Sequence, residues 1–201
     1  MKHLDKIHAI LPLAYLYLVV LGIIKESIVF YQLGINIIKY TTIMDILLSP
    51  IAVITSHPLI FVVFILISIY PFTILRLFKN HSHKKWVRVA FGIKKNKDDL
   101  SDEEAESYGN SIFIKSFVWI YLSVFLGIAF QEGRSISQDI KTKKLKYDYK
   151  MHFESGSAER VSLIGSNSEY FFCVVLGNKN IQIVPIGSVR KIEQIKNKML
   201  P

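Results

Sequence analysis

The sequence predicts a membrane α-helical protein with about three transmembrane helices, an interfacial or re-entrant segment, and a small β-rich domain at its C-terminal end. Three observations predict it. Hydrophobic residues make up 51% of the 201 positions, more than a soluble domain usually carries. They gather into a few long runs suited to spanning lipid. After Gln131 the pattern changes to short apolar runs separated by turn residues, the signature of strands and hairpins.

The first run, Ala9 to Ile24, is 16 residues long. At ~1.5 Å per residue it falls short of a hydrocarbon core of about 30 Å. The following "KESIVFYQ" prolongs the helix if Lys25 snorkels, Glu26 faces protein or headgroups and Tyr31 anchors at the interface. Pro12 falls in the first turn, where proline is tolerated. Lys2 and Lys6 before the run imitate a signal peptide, but no small-residue cleavage pattern follows, so residues 1–32 are read as a tail and an uncleaved first span.

Residues 33–56 are apolar yet broken by Lys39, Asp45 and Pro50. A charge at the bilayer centre costs about 2.5–3.5 kcal/mol on insertion scales, which favours an interfacial or re-entrant segment over a fourth span. A second span over 57–78 opens with Pro58 at a helix start, and Pro71 is expected to kink its last third. The loop 79–110 is basic in its first half and acidic in its second. Arg76, Lys79, Lys84, Lys85, Arg88, Lys94, Lys95 and Lys97 crowd beside a span and mark a cytoplasmic loop. A third span over 111–130 carries only Lys115, and its Trp119 and Tyr121 are expected to pack against protein. Residues 131–201 form a linker and the β domain, with strands in "KLKYDYKMHF", "RVSLIG", "EYFFCVVL", "NIQIVPI" and "VRKIEQI". "ESGSAE", "GSNS" and "GNKN" supply the turns.

An odd number of spans puts the N-terminus and the basic loop in the cytoplasm and the β domain on the opposite face. A fourth span would reverse that. The net charge of +9 is read as retention of cations on the cytoplasmic side, not as nucleic-acid binding. The single cysteine, Cys173, excludes an intramolecular disulfide and sits in a strand-like run as a small buried hydrophobe.

No catalytic, metal-binding or nucleotide-binding signature appears, so no catalytic residue, cofactor or metal is expected. His81 and His83 in "HSH" have no further clustered ligands and read as a hydrated loop. Cations alternate with aromatic and aliphatic residues in "HKKWVRVAFGIKK", and Lys84, Lys85, Trp86, Arg88, Phe91, Lys94 and Lys95 form a candidate surface for anionic lipids of the inner leaflet. Glu26, Lys39 and Asp45 are the candidate intramembrane or interfacial charges; solvation at the membrane surface accounts for them without an ion path.

The order of runs in "SLIGSNSEYFFCVVLGNKNIQIVPIGSVRKI" resembles the small SH3-like or Sm-like barrels that follow membrane helices in some small mechanosensitive channels. The chain as a whole is similar to bacterial multi-pass membrane proteins, which implies a plasma-membrane location. These features lead to a non-enzymatic, oligomeric membrane module, sensor or pore-like, that binds through its β domain. The alternative is an accessory anchor or regulatory subunit of a membrane protein partner; an intramembrane transporter or enzyme ranks below both.

Overall fold

A computed structural model of the chain describes residues 2–56, 58–81 and 102–195. In chain order these form α1 (Lys2–Tyr31), a 3-10 turn (Ile37–Tyr40), α2 (Ile43–Thr55), α3 (Pro58–His81) and α4 (Asp102–Lys141). Five strands follow: β1 (Tyr149–Phe153), β2 (Ala158–Ser166), β3 (Tyr170–Val175), β4 (Ile181–Pro185) and β5 (Val189–Gln194). Three helical segments, Leu11–Tyr31, Pro58–Arg76 and Ser107–Lys141, are long and apolar enough to cross a membrane. At Ile43–Thr55, α2 is too short for that.

The chain divides into two compact units, residues 1–50 with 126–201 and residues 51–125. In the first, α1 stops because Gly34 takes a left-handed conformation (φ +76°). Its N–H donates to the Tyr31 carbonyl at 3.0 Å and the Ile35 N–H reaches back to Phe30 at 2.9 Å. This pair of bonds is the Schellman closure, and it turns the chain sharply out of the helix. Ile35 thereby lands in the same apolar cluster as Phe30.

The five strands form one antiparallel sheet in the order β4-β3-β2-β1-β5. Each strand expected from sequence is present, but the sheet is open, with β4 and β5 as its edges, so the barrel suggested by the resemblance is not closed. Strand alternation gives the sheet two apolar faces. Met151, Val161, Cys173 and Val184 build a core on one face. Phe172, Tyr170, Ile164 and Ile183 on the other pack with Val29, Phe30, Ile37 and Ala129 from the helical segments. A register shift between Leu163 and Gly165 marks a bulge in β2. Gly177 (φ +87°) makes the "GNKN" turn as its sequence implies.

In the second unit, α3 and the first part of α4 meet through aromatic rings. Phe64 lies 5.7 Å from both Tyr121 and Phe125, and Phe72 lies 5.0 Å from Phe113. Tyr121 also hydrogen-bonds Ser68 and packs as expected. Trp119 does not: it is 66% exposed. Tyr121 stacks on Phe117, four residues earlier, with centroids 4.4 Å apart, one helical turn along the packed face, and at ~100° per residue Trp119 falls about 200° from Tyr121.

Candidate functional site

The residues richest in chemistry converge in the first unit, where α1, α2, the end of α4 and the β2–β3 turn meet. α2 starts with a capping box. Thr42 is the N-cap and Asp45 the third helical residue; the Asp45 N–H donates to Thr42 Oγ1 at 3.2 Å, and the Thr42 N–H and hydroxyl donate to Asp45 Oδ2 at 3.0 and 2.7 Å. Such a box ties two orphan N–H groups at the helix start and contributes ~1 kcal/mol. The same carboxylate accepts a bond from the Ser168 N–H at 3.0 Å and another from its hydroxyl at 2.9 Å. Partial burial pushes the Asp45 carboxyl up, but the bonds from Thr42 and Ser168 outweigh it and hold the group below its usual value.

The neighbouring contact repeats the theme. Asn167 Nδ2 donates to the Tyr40 carbonyl at 2.7 Å, while its Oδ1 accepts from the Glu169 and Tyr170 N–H groups at 3.0 and 2.7 Å and so shapes the β2–β3 turn. Beneath it, the ring of Phe172 meets Phe30 edge-on at 4.7 Å, and Tyr40 stands edge-on to Tyr170 at 5.5 Å. The turn is thus held by a polar clasp above and an aromatic stack below.

A second cluster lies deeper along α1. Lys25 is only 7% exposed; its ammonium lies 3.0 Å from Glu26 Oε1 and 3.2 Å from Glu132 Oε2 on α4. Ser49 of α2 hydrogen-bonds Glu26. A buried ammonium is retained only where partners replace its water, and here two carboxylates do so. Close backbone approach makes the cluster reachable. A Cβ added to Gly22 would overlap the Ile46 carbonyl, and Pro50, four residues on, has no N–H to offer that carbonyl. α2 therefore turns a carbonyl lacking its helical donor toward the one residue of α1 without a side chain.

The sequence candidates divide accordingly. Glu26 and Asp45 enter the two clusters, whereas Lys39, in the 3-10 turn, is exposed and joins neither. Lys25, expected to snorkel toward the interface, is buried. Sequence reasoning passed over Glu132 and read Ser168 only as part of the "GSNS" turn; only the folded chain brings them to α1 and α2. The T-x-x-D pattern at Thr42 to Asp45 was the one local signal available. Lys84, Lys85, Trp86, Arg88, Phe91, Lys94 and Lys95 lie outside the described residues. Among the described residues no group of three or more His, Cys, Asp or Glu could hold a metal ion. Comparison with family models, curated proteins and solved structures finds nothing that matches this chain.

At the far edge of the sheet, Glu193 pairs with Lys191 at 2.6 Å and with His152 at 3.2 Å. The Lys191 hydrogen bond, then the nearby His152 imidazole, lowers the Glu193 carboxyl to about 2. Charges of this kind on β5 discourage unplanned strand addition along that edge.

Proposed function

We propose that this chain is a non-enzymatic, oligomeric module of a bacterial plasma membrane that couples a β domain on the outer face to its transmembrane helices, acting as a sensor. The observation that carries the reading is the clasp. A domain meant to bind at a distance hangs on a free linker, whereas this one is fastened to α1 through Phe30 and Phe172 and to α2 through Asp45 and Ser168.

Parity supports this topology. The C-terminal ends of α1 and α4 both pack with the sheet, so the chain between them returns across the membrane an odd number of times before α4. α3 alone meets that condition, and α2 as a further span would break it. The N-terminus and the basic loop then share the cytoplasmic side, where Lys84, Lys85, Arg88, Lys94 and Lys95, with Trp86 and Phe91, attract anionic lipids. Three spans enclose no pore alone, so a pore-like version needs several copies.

The test is a reporter that distinguishes cytoplasm from exterior, fused after Asn110 and separately after Pro201. Opposite sides are expected; the same side would overturn the three-span reading. A monomer in mild detergent would remove the oligomeric part. The β4 edge of the open sheet, which carries none of the charges found on β5, favours a second reading, an accessory subunit, because an unfinished ladder is where a partner can add a strand; a protein that copurifies stoichiometrically would bring that reading forward.

A further inference from the structure

α2 has two faces of different kind. At ~100° per residue, Ile43, Met44, Leu47 and Leu48 share one side of the helix, and Asp45, Ile46, Ser49 and Pro50 share the other. The second side is fully engaged: Asp45 holds Ser168, Ile46 backs onto Gly22, Ser49 holds Glu26, and Pro50 is buried. The first is bare and apolar, with Ile43 66%, Met44 62% and Leu48 52% exposed.

Depth decides what covers that bare side. Ile46 and Ser49 touch α1 at Gly22 and Glu26, both inside the candidate span Leu11–Tyr31. Gly22 lies three residues before Lys25, whose charged cluster reaches the partly exposed Glu132, or about 5 Å along the helix at ~1.5 Å per residue, so the middle of α2 sits at the outer border of the hydrocarbon layer if α1 crosses it. The only charge on this part of α2, Asp45, is turned to the protein side. An uncharged face at that depth fits acyl chains.

We propose that Ile43, Met44, Leu47 and Leu48 form a lipid-binding surface that takes acyl chains of the leaflet nearest the β domain, and that the opposite side of α2 passes their displacement to the β2–β3 turn through Asp45. The proposal rests on the membrane reading above and names what the module senses: the packing and thickness of one leaflet. No covalent step is involved. α2 acts as a wedge with lipid on one side and the clasp on the other.

The experiment uses the full chain in phosphatidylcholine nanodiscs with single spin labels at Met44→Cys, Leu48→Cys and, as a membrane control, Leu16→Cys on α1. The native Cys173 is fully buried, and burial, then the nearby Glu159, pushes its thiol up to about 11, so it stays unlabelled. Labels at 44 and 48 are expected to collide with dissolved oxygen and to be shielded from a water-soluble nickel complex, as the label at 16 should be. Exposure of 44 and 48 to the nickel complex, or shielding from both reagents, overturns the proposal while a lipid-like signal at 16 leaves the membrane reading intact. A water-like signal at 16 overturns the membrane reading itself. In the second arm, hydrogen exchange at the β2–β3 turn is compared between short-chain and long-chain lipids. A several-fold change in the wild-type chain that disappears in Asp45→Asn is expected, and equal exchange in both lipids refutes the coupling.

Discussion

The last turns of α1 and the middle of α3 both belong to apolar runs long enough to cross a membrane, yet they bury themselves differently. Leu21, Val29 and Phe30 are all but sealed, whereas Leu59, Val62, Leu66 and Ile69 on α3 stay more than half exposed within the chain. The difference teaches that a hydrophobic run records only the need to leave water. Whether lipid or a folded domain answers that need is decided by partners elsewhere: α1 has Phe172, Ile164 and Ile183 on a sheet face to meet it, and the described part of α3 has a few rings of α4.

The comparison breaks most easily at Phe172, the seat of the β domain. Phe172→Ala should cost about 3–5 kcal/mol, the range for deleting a buried aromatic ring, and thermal unfolding in nanodiscs should show it as a lowered transition. The matching truncation of an exposed apolar residue, Leu66→Ala, should move the transition little. Similar losses at both sites would mean that α3 is as tightly partnered as α1.

Next in size is Lys25→Met, which leaves Glu26 and Glu132 without their cation. Breaking a fully buried pair costs ~3–5 kcal/mol, and with Glu132 partly open to solvent roughly 2–3 kcal/mol is expected. Replacing all three together, with Met at 25 and Gln at 26 and 132, should recover most of that loss. If the triple variant is as unstable as the single one, the cluster contributes more than compensation of charge.

The smallest effect belongs to Asp45. Its folded carboxyl lies below the ordinary value, so its contribution is complete above the unfolded value near 4 and fades as pH falls through the folded one. Stability of the wild-type chain should therefore drop on acidification below about pH 4, and Asp45→Asn should flatten that limb while costing about 1 kcal/mol at neutral pH. An acid limb unchanged by the substitution would place the proton uptake elsewhere.

Helices and strands could be read from the sequence because period and turn chemistry are local. Gly177 in "GNKN" and the alternation in "YFFCVV" carry their own instructions. The charged clusters could not be read in the same way. Lys25 beside a long apolar run looks the same whether it reaches for headgroups or turns inward; the choice depends on Glu132, more than a hundred residues later. Asp45 was weighed against the cost of a charge in lipid, while its nearest competitor was the backbone of its own helix start at Thr42. Trp119 was expected to pack because aromatics fill cores, but it falls on a side of α4 away from Tyr121 and its partners.

The clasp between Asp45 and Ser168 spans 123 positions, and the one between Tyr40 and Asn167 spans 127. At a synthesis rate of roughly 5–20 residues per second, the first partner waits about 6 to 25 s for the second to be made. Throughout that interval α2 has no turn to hold, and its start must be sheltered by lipid, by the insertion machinery or by α1 alone. The N-terminal quarter of this protein is thus finished last, and a lesion in the β2–β3 turn should register first as a fault in biogenesis, with newly made chains degraded before mature ones lose any stability.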